Sequence, residues 1–245
     1  MIIKNPNTAN LEDETSNINK ETGANATYEF SKENGNAITL LIIDESGSMG
    51  PLLQATIESY NGVVQSILTD ARELPDLVQY MNVWTFEGRN IRENLPLTTV
   101  IPGVPIQNLD YRPSGSTPLF DCMGESMSKL ERLIDEAKLG DEGTQVSVAI
   151  FTDGEENSSI KYSLGEIKRM VERLKLKGWE FSYYGTDHAV EDMAEKLKMD
   201  RVERFEKSRE GMHMSMMSFS QSARNSKEDY IKRFKQKWVD DETKK

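Results

Sequence analysis

Asp44, Ser46 and Ser48 occupy alternate positions of Asp44-Glu45-Ser46-Gly47-Ser48-Met49-Gly50. Along a turn, that spacing lets one carboxylate and two hydroxyls face a common crevice. A hard divalent cation such as Mg2+ takes such a set: oxygen donors, few carboxylates and room for water. Two further pieces lie downstream. Ser116-Thr117-Pro118 opens a helix, and Thr152-Asp153-Gly154 follows the apolar run at residues 146–151. The elements that must position these groups are legible as well. Residues 38–43, directly before Asp44, form an apolar run of the kind buried on both faces of a parallel sheet. Helical periodicity begins after it, at Pro51.

The order D-x-S-x-S, then Thr, then T-D-G resembles the metal-ion-dependent adhesion site of von Willebrand factor A (vWA) domains. The resemblance spans about residues 37–225, with no substitution among the five site positions. It implies that Asp44, Ser46, Ser48 and Thr117 surround an ion, directly or through water, and that Asp153 binds through water. Mg2+ or Mn2+ is expected ahead of Ca2+. In such domains an acidic side chain of a partner protein completes the coordination, which implies a binding module and not an enzyme. The likeness is to intracellular bacterial vWA proteins, including those of tellurite-resistance and metal-stress operons. Work beside an ATPase, as in chelatase-like assemblies, is equally open, although the chain has no G-x-x-x-x-G-K-[ST] loop of its own.

Each residue also has a plainer reading. Asp44 or Ser48 could cap the following helix, and Ser116 or Thr117 could cap the next one. Ser46-Gly47-Ser48-Met49-Gly50 nearly matches a nucleophile elbow, and Ser48, Asp153 and His188 follow the Ser…Asp…His order of α/β-hydrolases. Ser46 replaces the first glycine of that elbow, however, and a triad leaves Asp44 and Thr117 without a role. An aspartyl-phosphate phosphatase would use Asp44, but the usual second Asp is Ser46 here. His188 and His213 have no His or Cys at zinc-ligand spacing. Met212, Met216 and Phe219 share one helical face, which favours core packing over soft-metal binding. Glu45 and Glu155-Glu156 read as solvated loop charges beside the crevice.

The net charge of −11 over 245 residues argues against nonspecific nucleic-acid binding, which rests on phosphate neutralisation by Lys and Arg. Residues 201–245 carry twelve Lys/Arg and eight Asp/Glu, a balance of +4 that leaves −15 for residues 1–200. Cys122 is the only cysteine and lies in an apolar helix, so it reads as a small buried side chain. No apolar segment follows the first residues, so neither a signal peptide nor a membrane span is expected, and the cytosol is the expected compartment.

Three parts follow: an Asn-rich flexible arm at 1–36, ordered at most around Tyr28-Glu29-Phe30; a domain at 37–225; and a basic helical tail at 226–245. Leu53, Ile57, Tyr60, Val64 and Ile67 mark one helical face, and Leu119, Met123, Met127, Leu130, Ile134 and Ala137 another. That second helix is expected to end in Leu139-Gly140-Asp141-Glu142-Gly143. Ser163-Leu164-Gly165-Glu166 is a capping box, and Asp187 caps a further helix. Met212 to Ala223 and Tyr230 to Trp238 suggest two separate helices. Strands alternate with these helices. The expected class is α/β: a doubly wound, mostly parallel central sheet with one short antiparallel edge strand and helices on both faces.

Overall fold

The computed structural model describes residues 28–139, 143–186 and 190–242, with side chains to residue 235. Most of the N-terminal arm, Gly140 to Glu142 of the expected helix end, Asp187 and His188 lie outside the described residues.

Six strands form one sheet in the order β3-β2-β1-β4-β5-β6. They are β1 (Gly35–Asp44), β2 (Leu77–Glu87), β3 (Asn90–Thr99), β4 (Thr144–Thr152), β5 (Trp179–Gly185) and β6 (Arg201–Arg204). All neighbours are parallel except β2 and β3, which form an antiparallel hairpin. The antiparallel edge strand is ten residues long and has two register shifts. The expected fold class is thus the observed one.

β1 is the centre of the molecule, buried at all ten positions, which explains its unbroken apolar run. Its side chains alternate between two cores. Ile38, Leu40 and Ile42 face α2 (Leu119–Ala137), α3 (Leu164–Leu176) and α4 (Val190–Leu197). Leu41 and Ile43 face α1 (Leu53–Glu73) and α5 (Arg209–Glu242). Each such fully buried aliphatic side chain contributes about 1.5–3 kcal/mol relative to exposure.

A 3-10 turn, Gly47–Leu52, holds Pro51 and precedes α1, so the α-helix starts at Leu53. The buried face of α1 is Ala55, Thr56, Ser59, Tyr60, Val63, Val64, Ile67 and Leu68. Leu53 is exposed, so the face is rotated from the one its apolar residues suggest. The capping box at Ser163 and Glu166 is present, and Cys122 is buried with its thiol pKa pushed up by desolvation.

The last helix is continuous, not two. Phe219 meets the rings of Phe151 and Tyr184 edge-on, which fastens α5 to β4 and β5. Further along, Lys227 is buried and donates to Asp70 on α1 at 2.8 Å, and Arg224 bonds the other oxygen of Asp70 at 2.9 Å. The residues that end the arm also pack: Phe30 lies against Tyr80, whose hydroxyl donates to the Glu29 carbonyl. Among the described residues no helix is long and apolar enough to cross a membrane.

Candidate functional site

The strand order reverses between β1 and β4, since α1 covers one face of the sheet and α3 the other. In open α/β sheets the crevice beyond the carboxyl ends of the strands at such a reversal is where ligands bind. Asp44 is the last residue of β1, and Ile43 pairs with Phe151 of β4, so Thr152 and Asp153 emerge beside it. The 3-10 turn carries Ser48 back over the opening, and Thr117 arrives just before α2.

Hydrogen bonds join these groups into a chain. The Asp44 carboxylate accepts from the Ser46 N–H at 2.7 Å and from the Thr152 hydroxyl at 2.6 Å. The Ser46 and Ser48 hydroxyl oxygens lie 3.1 Å apart, and Ser48 donates to Asp153 Oδ1 at 2.6 Å. Gly154 floors the same space: a Cβ added there would lie 3.6 Å from Thr117 Oγ1 and 3.7 Å from Ser48 Oγ. All five expected site residues are therefore gathered at one sheet edge. Asp44, Ser46, Thr117 and Asp153 are buried, and Ser48 is exposed at the mouth.

Burial raises the Asp44 pKa to about 6, with the Asp153 charge adding to the shift and the bonds from Thr152 and Ser46 opposing it. Asp153 differs on its two oxygens. Oδ1 holds the Ser48 hydroxyl, whereas Oδ2 is buried and receives no well-formed hydrogen bond. The ammonium of Lys207 forms an ion pair with Oδ2.

The frame around the site is wired by carboxylates and amides. Glu45 is fully buried, against the reading of a solvated loop charge. Both of its oxygens accept from Arg92 Nη2 at 2.7 Å, and Oε1 also takes the Arg112 N–H. Burying an ionised carboxylate is costly without a cation, and the β2–β3 hairpin supplies one to Glu45. Glu156 is half-buried and accepts from the Phe120, Ser158 and Ser159 N–H groups, so it caps α2 from a distant loop. Glu155 alone of the three is exposed. Asp121 accepts three N–H groups, from Ile160, Lys161 and Tyr162. Asn157 holds Thr117 by its main chain, accepting the Thr117 N–H at 2.9 Å while its own N–H donates to the Thr117 carbonyl at 3.2 Å. Gly115, at φ +64°, receives the Gly47 N–H on its carbonyl at 3.1 Å and thereby ties the Thr117 loop to the serine turn.

Sequence reasoning missed Thr152 as a partner of Asp44, although it lies within the T-D-G motif. It missed Asn157 and Lys207 altogether. Their neighbours in sequence give no signal, because both reach the site only through the loops that follow β4 and β6. Among the described residues no cluster of three or more His, Cys, Asp or Glu side chains exists that could hold a metal ion. The present set is instead two carboxylates and three hydroxyls, a donor chemistry fitted to hard cations.

The fold and this edge define a class: doubly wound α/β domains with a polar site at the reversal of a central sheet. No protein-family model matches the sequence, and no curated protein matches it. Solved structures do match. The vWF domain of the type V pili tip protein Mfa5 from Porphyromonas gingivalis aligns over 77% of this chain and 95% of that one, with 8% identity and a TM-score of 0.51. The pilus adhesin SpaC from Lactobacillus rhamnosus GG, in its open conformation, aligns over 80% of this chain and 31% of that one, with 12% identity and a TM-score of 0.52. The SpRpn10 VWA domain aligns over 74% and 93%, with 11% identity and a TM-score of 0.48. The likeness to the Mfa5 vWF domain, together with the six-stranded sheet, shows that this chain has the fold of vWA domains.

Proposed function

We propose that this chain is a non-catalytic module that holds a partner protein through a divalent cation, Mg2+ or Mn2+. One observation carries this reading: Asp44, Ser46, Ser48, Thr117 and Asp153, drawn from three separate segments, converge on one crevice at the sheet reversal. The residues fit such an ion. The donors are two carboxylates and three hydroxyls, and the buried Asp153 Oδ2, which receives no well-formed hydrogen bond, is met by the Lys207 ammonium. Asp44 would hold the ion most directly, with Ser46, Ser48 and Thr117 beside it and Asp153 behind a water. When bound, the ion supplies a positive charge only partly neutralised by protein carboxylates, so an Asp or Glu side chain of a partner can complete its coordination.

The hydrolase alternative, with Ser48, Asp153 and His188, is weaker on geometry. A triad places the histidine between serine and carboxylate, whereas Ser48 donates directly to Asp153. His188 lies outside the described residues, and Asp44 and Thr117 would again lack a role.

Thermal melting with EDTA, Mg2+ and Mn2+ tests the reading. At about a hundredfold over the dissociation constant, the ion should add about 2.7 kcal/mol of stability. A captured partner should be released by EDTA. Identical melting in all three conditions, with capture insensitive to EDTA, would overturn it.

A further inference from the structure

Lys207 lies in the short link between β6 and α5. On one side Phe205 is buried, and its N–H donates to the Gly185 carbonyl at 2.9 Å. On the other, Ser208 caps α5: its hydroxyl accepts the Gly211 N–H at 3.0 Å and its carbonyl the Met212 N–H at 3.1 Å. Between these fixed points the Lys207 side chain reaches across to Asp153. The pair is asymmetric: the lysine side chain is 39% exposed and the Asp153 side chain 0%. A solvent-accessible cation thus reaches a carboxylate oxygen that the rest of the site leaves without a well-formed hydrogen bond.

We propose that Lys207 is a resident cation of this site, neutralising Asp153 when no metal ion is bound and leaving it when one enters. The inference rests on the divalent-cation reading above. Its physical basis is that two cations repel each other around one carboxylate, while a buried carboxylate without any cation is costly. Lysine suits the task. Its charge sits on a flexible four-carbon stem with no fixed fork geometry, so it can withdraw into water without breaking a bidentate pair. The half-exposed position of Lys207 gives it a path outward, and its place just before the Ser208 cap puts the start of α5 next to the exchange. Lys207 is therefore a tuning residue that competes with the ion and does not ligate it.

The test is Mn2+ titration calorimetry of the full chain, wild type against Lys207→Met and Lys207→Arg, with all three melted first in EDTA to confirm folding. Methionine keeps much of the stem and removes the charge. Lys207→Met should bind Mn2+ about two- to fivefold more tightly, the scale of a partly exposed ion pair, and Lys207→Arg should stay near wild type. A second readout is independent of affinity. Acylation of lysines by an N-hydroxysuccinimide ester, read by mass spectrometry, should rise at Lys207 on adding Mn2+ while exposed Lys32 stays constant. Equal Mn2+ affinity in wild type and Lys207→Met, or unchanged labelling of Lys207, would overturn the inference and leave the metal reading standing. Failure of all three proteins to bind Mn2+ would overturn the metal reading, and the inference with it.

Discussion

Ser48 Oγ donates to Asp153 Oδ1 at 2.6 Å, joining two residues 105 positions apart in the chain. The serine comes from a turn after β1 and the aspartate from the end of β4, so the bond exists only because those strands are neighbours. It holds the mouth of the site together from its exposed side. Ser48→Ala should therefore leave the protein folded at a loss of about 1–3 kcal/mol, because it takes the donor from an oxygen of the buried Asp153. Mn2+ affinity should nonetheless fall at least about tenfold, the equivalent of about 1.4 kcal/mol. Chemical denaturation and calorimetry on the same preparation separate the two effects.

Gly115→Ala should damage the site through the backbone. At φ +64° an alanine is strained, and its Cβ would lie 2.6 Å from Glu87 Oε2 and 2.9 Å from Gly88 Cα. The loop must move, and with it the carbonyl that receives the Gly47 N–H. A loss of about 1–3 kcal/mol is expected, measured by denaturant midpoint, together with weaker Mn2+ binding. Unchanged stability would show that the loop relaxes without cost.

Lys227 makes a pH-dependent contribution. Burial lowers its pKa, with Asp70 opposing the shift and Arg224 adding to it. The folded state thus releases its proton at lower pH than the unfolded state, whose lysine titrates near about 10.4. In that interval the unfolded chain binds more protons, so stability rises with pH. Relative to Lys227→Met, the wild type should gain stability as pH approaches about 10. Near neutrality Lys227→Met should cost little, because Arg224 still pairs with Asp70. Asp70→Ala should cost about 3–5 kcal/mol, since it strands a buried ammonium. Urea titrations at several pH values check both statements.

Much of this was legible in the chain because its signals are local. The apolar run before Asp44 marks a strand buried on both faces, and Ser163 and Glu166 carry a capping box that the structure repeats bond for bond. The D-x-S-x-S order places its oxygens at a strand end without any tertiary knowledge. What was not legible depends on distant partners. The burial of Glu45 needs Arg92 from the hairpin, and the burial of Lys227 midway along α5 needs Asp70 on another helix. The rotated face of α1 has a similar cause: Thr56 turns inward and returns its hydroxyl to the Leu52 carbonyl at 2.9 Å. Hydrophobic periodicity cannot register a polar residue that satisfies itself on its own helix.

The central claim is that Asp44 anchors a divalent ion, and titration of Mn2+ into wild type and Asp44→Ala tests it most directly. Melting in EDTA must first show that the variant folds. Mg2+-type sites rely on one or two carboxylates, so the account predicts one saturable Mn2+ site in the wild type and none in Asp44→Ala. Equal Mn2+ binding by the two proteins, or none by the wild type, would contradict it.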